Sequence, residues 1–128
     1  MDKSSILKTF NEHFMDFLED IQNVFPNDSD ILTTKTALNT IKKLNPRLII
    51  KIWNEHIVKK YKDQILKGDI SFFIDKDYTE DLNDMDSSST IVNKINKLRD
   101  PIKNMGKENQ DKCMKYIQNL TKLSELYN

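Results

Sequence analysis

Asp75, Asp77 and Thr79 stand first, third and fifth in a possible EF-hand loop, the positions that supply the first oxygen ligands to calcium. The rest of the frame refuses the ion. Glu80 stands where the sharp turn needs glycine, and Asp86 where a bidentate glutamate should close the loop. His13 and His56 are the two histidines, and neither belongs to an HExxH or Cys/His spacing that would ligate zinc. Glu12, His13 and Asp16 share one helical turn, but three ligands on a single surface turn make a poor metal site. Cys113 has no histidine near it in sequence and reads as a small core residue rather than a nucleophile. The chain also lacks a serine elbow, a P-loop and a glycine-rich nucleotide fingerprint. The expectation is a protein with no catalytic residues, no metal and no cofactor.

What remains is binding. Lys67 to Leu82 reads KGDISFFIDKDYTEDL, aromatic and apolar residues set among acids. One reading makes Phe72, Phe73 and Tyr78 the anchors of a docking surface for a protein partner, with Asp75 and Asp77 in its acidic rim. The other makes the two phenylalanines a plug that fastens this segment to the rest of the fold. Neighbouring side chains point to opposite faces of a strand, whereas in a helical turn both can be partly buried. The plug is the favoured reading.

A second binding candidate is basic. Arg47, Lys51, Lys59 and Lys62 fall on the outward face of one predicted helix, with Glu55 interrupting the row. Such a stripe suits weak, salt-sensitive contact with nucleic-acid phosphates. The isoelectric point of about 6.7 lies well below the usual basic signature. Neither a helix-turn-helix spacing nor an aromatic stacking platform is recognisable, so sequence-specific recognition is not expected. Eighteen lysines stand against two arginines, and arginine is the residue suited to bidentate phosphate clamps.

Helices must position these groups. From Ser4, the residues Ile6, Leu7, Phe10, Phe14, Phe17, Leu18, Ile21 and Phe25 recur at three and four, which predicts an amphipathic helix closed by Pro26. Asp28 or Asp30 caps a second helix, with Ile31, Leu38, Ile41 and Leu44 on its apolar side and threonines opposite. Asn45 and Pro46 head a third helix to about Lys67, whose wide apolar arc through Ile49, Ile52, Trp53, His56 and Ile57 places it at the centre of the bundle. Gly68 offers a left-handed cap. Residues 70–74 suit one helical turn or a short strand. After an acidic loop, a helix from about Ser89 is kinked or split near Pro101, and a last helix begins about Lys107.

Two glycines and three prolines in 128 residues are too few for a sandwich or barrel. The predicted architecture is an all-α, single-domain bundle of five or six helices spanning residues 1–128. Its N-terminal helices cover about 1–74, the acidic loop 75–88 and the C-terminal helices 89–128. A hydrophobic share of 38% with zero net charge favours folding over disorder. Acidic and basic stretches alternate: seven acids against two lysines over residues 1–30, then six lysines and Arg47 against Glu55 alone over residues 42–62. These faces either neutralise one another and solvate the bundle, or form a dipolar surface favouring self-association or an oriented partner. A single cysteine, no leader pattern and no long apolar run suggest a reducing intracellular setting away from the membrane.

The phrases FNEHFMDFLEDIQNVFP, KTALNTIKKLNPRLIIKIWNEHIVKKYKDQILKGDISFFIDKDY, KLRDPIKNM and YIQNLTKLSELY cover most of the chain. As a set, they resemble a group of small proteins encoded by giant DNA viruses of protists, of the mimivirus kind. The Lys/Asn/Ile bias fits the AT-rich genomes of such viruses. The resemblance implies a protein of the host cytoplasm, in the viral factory or the virion, and carries over no catalytic motif. The leading expectation is therefore a non-enzymatic adaptor or scaffold, self-associating or bound to a viral or host protein. The alternative is a nucleic-acid-associated replication or transcription factor that uses the basic helix.

Overall fold

A computed structural model describes residues 2–74 and 88–128 of the chain. Residues 75–87 of the acidic loop, with the calcium-like Asp75, Asp77 and Thr79 and the docking candidate Tyr78, lie outside the described residues. The fold is all-α, with no strand among the described residues.

Helix α1 runs Lys3–Val24. Asp2 caps it, its carboxylate accepting a 2.8 Å hydrogen bond from the Ser5 amide. The three-and-four spacing turns Ile6, Phe10, Phe14, Phe17, Leu18 and Ile21 into a buried stripe. The helix stops before Pro26. Helix α2, Ser29–Leu44, begins on the Asp28 carboxylate, which accepts from the amides of Asp30 and Ile31. Its faces differ from expectation at two places. Thr34 is buried beside Ile31 and Leu38, while Leu44 is 81% exposed. Leu44 is the last residue of α2, where the chain turns away at Asn45, and no helix among the described residues covers it.

The third helical rod has three parts: α3 at Leu48–Trp53, a π-helical turn at Asn54–Val58 and α4 at Lys59–Leu66. The Lys59 amide donates to the Asn54 carbonyl, five residues back. One residue is thereby inserted into the helical ladder. Tyr61 is a further irregularity, with φ −129° and ψ 18°. The rod is central as predicted: Ile49, Ile50, Ile52, Trp53, Ile57, Val58, Tyr61 and Ile65 are all buried. Trp53 meets the rings of Phe10 and Phe14 edge-on at 6.3 and 6.1 Å. Its indole N–H donates to the buried Thr121 hydroxyl at 3.3 Å. These three contacts of one side chain join α1, α3 and the last helix.

Gly68 ends the rod at φ +73°. Its amide donates to the Ile65 carbonyl and the Asp69 amide to that of Gln64, the paired closure of a Schellman motif. The Gln118 side chain donates to the Ile65 carbonyl as well, at 2.9 Å. Asp69 then opens the single turn α5, Ser71–Ile74, by accepting from Ser71. Helix α6, Ser88–Asn96, and the short α7, Arg99–Lys103, are separated at Lys97 and Leu98. The split falls four residues before Pro101, whose ring cannot donate to the Lys97 carbonyl and would collide with it in a continuous helix. Helix α8, Lys107–Tyr127, packs antiparallel along α1 and closes the bundle.

Candidate functional site

Arg47, Lys51, Glu55 and Lys59 are spaced by four, which keeps them along one side of the rod. The π turn lies within this row, and its residues Asn54 and Glu55 sit between the cations. Arg47, Lys51 and Lys59 are exposed, and together with Asn54, Glu55, Tyr127 and Asn128 they line a groove of about 300 Å³. Asn54 forms its most protected wall, being only 6% exposed. Tyr127 comes from the end of α8 and is half-buried, and the Lys3 ammonium lies 5.9 Å from its ring centre.

The fourth predicted cation is diverted. Lys62 bonds Glu125 at 2.6 Å, and that carboxylate holds the ammonium above its usual pKa. Among the described residues, Arg47, Lys51 and Lys59 make no ion pair. The carboxyl end of α8 adjoins the groove and adds its partial negative charge. Among the described residues, three cations therefore face Glu55 as the one acidic side chain in the groove wall.

The phenylalanines proposed as docking anchors are not available as such. Phe72 and Phe73 are 6% and 3% exposed. Phe72 lies 5.3 Å from the Tyr61 ring, and Phe73 packs at the rod with Ile52, Ile57, Val92 and Ile95. The Arg99 guanidinium donates to the Phe73 carbonyl at 2.8 Å. Both rings belong to the core, as the plug reading requires, because a helical turn lets neighbours share an interior face. Asp75, Asp77 and Tyr78, the other members of that proposed surface, lie outside the described residues.

A second polar cluster bridges α1 and α8. The Tyr116 hydroxyl donates to Asp20 at 2.6 Å, and its ring packs at a tilt against His13 at 4.7 Å and Phe17 at 5.4 Å between ring centres. Burial and the Asp20 carboxylate push the Tyr116 phenol well above its usual range. Burial lowers the His13 pKa against the opposing pull of Asp16. Cys113 is buried with its sulfur 3.7 Å from that of Met105. Burial, with Asp20 adding to it, pushes this thiol up to about 12, so it is protonated at cellular pH and a weak nucleophile. His56 is half-buried and lines a cavity of about 10 Å³ with Asn96, which is room for about one water.

Among the described residues, no group of three or more His, Cys, Asp or Glu residues is arranged to hold a metal ion. No helix of the described residues is long and apolar enough to cross a membrane. The chain matches no protein-family model, no curated protein and no solved structure.

Of the nucleic-acid candidates, three of four converge on one groove. Sequence reasoning missed Asn54 and Tyr127. The π turn around Asn54 leaves no mark in residue spacing, and Tyr127 reaches the groove only through the packing of α8 on the rod.

Proposed function

We propose that this chain is a non-enzymatic helical binding module that docks an anionic partner in the groove over the π turn. One observation carries the reading: Arg47, Lys51 and Lys59 line a single concave surface with a protected amide and an aromatic ring. The π turn supports it further, because such insertions recur at functional sites. The burial of Cys113 keeps the thiol away from any substrate at the surface, in keeping with a binding role. An adaptor in a cell infected by a giant virus, within its factory or particle, is the setting that the sequence resemblance and the Lys/Asn/Ile bias support.

The test is a titration with a labelled heparin oligosaccharide at low salt. The wild-type chain should bind, and the triple variant R47E/K51E/K59E should lose most of that affinity. Lys112→Glu, which alters a cation on the α1–α8 side, should not. Equal binding by all three proteins, or none by the wild type, would remove the groove from the account. Circular dichroism of each variant separates loss of binding from loss of fold.

A further inference from the structure

We propose that the groove takes single-stranded nucleic acid, with one base stacked on Tyr127 and the backbone phosphates on Arg47, Lys51 and Lys59. This inference rests on the reading of the groove as an anion-binding surface and names its occupant.

Length comes first. Arg47 and Lys59 are twelve residues apart, about 18 Å along a helix at its usual rise. One phosphate cannot meet cations so widely spaced; a chain of them can. Shape comes second. The cations line a concavity of about 300 Å³, the lower end of the range for small-molecule pockets. That space suits one unstacked nucleoside and excludes the bulk of a duplex.

Aromatic chemistry then separates nucleic acid from an acidic peptide. Both would satisfy the lysines, but only bases offer a π-face to the Tyr127 ring, and a cationic groove with an aromatic platform is the arrangement by which single strands are held. In the free protein, the Lys3 ammonium covers this ring at 5.9 Å. Lys3 is exposed and adds a cation beside the stacking platform. The Asn54 carboxamide can both donate and accept, as a base edge or sugar requires. Glu55 is the acidic side chain in the wall that opposes a polyanion.

The test uses the full chain and a fluorescein-labelled oligothymidylate of about 16 nucleotides, the upper site size for a single small binding fold. Anisotropy should report binding that weakens with salt along a log–log slope of about −2 to −3, the release expected for three or four single-strand phosphates. Tyr127→Ala should weaken it at least about fivefold, the lower limit for losing a stacked base, while Tyr127→Phe retains it. Tyr127→Ala should weaken heparin binding far less than oligothymidylate binding, because a sulfated sugar offers no π-face to stack, and Glu55→Gln should tighten oligothymidylate binding. Insensitivity to Tyr127→Ala, or a duplex of equal length binding more tightly, would overturn the inference. So would preference for a polyglutamate peptide, which would make the occupant an acidic protein. Lys51-dependent heparin binding without oligothymidylate binding would overturn the inference and leave the groove reading standing. Absence of binding to every probe would overturn both.

Discussion

Lys62 Nζ lies 2.6 Å from Glu125 Oε2, tying α4 to α8 near the carboxyl end of the bundle. This contact divides the basic row of the third rod into two functions. Lys62 is occupied within the fold, whereas Arg47, Lys51 and Lys59 point into a groove whose far wall is also supplied by α8. The same helix that consumes one cation brings Tyr127 to the others.

The Phe73 ring is a structural element, and its removal should register in stability. Phe73→Ala is expected to cost about 3 kcal/mol, in the range for deleting a buried aromatic ring. At this chain length, that lowers the melting temperature by about 10 °C. Phe72→Ala should act in the same direction, since Phe72 contacts Tyr61. Unchanged melting temperatures with loss of a bound protein would restore the two rings as docking anchors.

The two glycines should respond oppositely to substitution. A Cβ at Gly68 would lie 3.7 Å from the nearest side-chain atom, so space is adequate and the φ of +73° decides. Gly68→Ala is expected to destabilise by about 1 kcal/mol or slightly more through left-handed strain. Gly106 caps α8 with extended backbone and open space around it. Gly106→Ser supplies the missing cap oxygen and should add a few tenths of a kcal/mol. Chemical denaturation of both variants reads the contrast, and a neutral Gly68→Ala would contradict the Schellman closure.

His13 makes stability depend on acidity. Its folded pKa lies below the ordinary value of 6.5 because burial disfavours the imidazolium, with Asp16 opposing. The unfolded chain therefore binds the proton first as pH falls. Its stability contribution is intact above about 6.5 and declines on acidification from there toward the folded pKa. His13→Gln should flatten the melting-temperature profile in that window and leave the region above pH 7 little changed. A variant profile parallel to the wild type would show that His13 does not contribute.

Much of the scaffold was legible because local rules and packing agreed. Pro26 closes α1, Asp28 starts α2, and Gly68 ends the rod, each through a constraint that acts within one turn, whereas the Asp2 cap of α1 was not read from the sequence. The failures share a different cause. Leu44 continues the apolar spacing of α2 but falls where the chain leaves the bundle, and Thr34 is buried because its neighbours Ile31 and Leu38 carry it inward. The π turn replaces an α turn without changing residue type. The groove itself was legible in its cations and illegible in its remaining wall. Tyr127 and Arg47 are brought together by the packing of α8 on the rod, and Lys62 is withdrawn by the same packing. Periodicity along one helix contains neither fact.

The most direct test is amide chemical-shift mapping of the labelled chain during titration with the heparin oligosaccharide. The account predicts that the largest shifts cluster at Arg47, Lys51, Asn54, Lys59 and Tyr127, with little change around Tyr116 or along α2. Shifts centred on the α1–α8 cleft near Lys112 and Lys115, or no shifts at low salt, would contradict it.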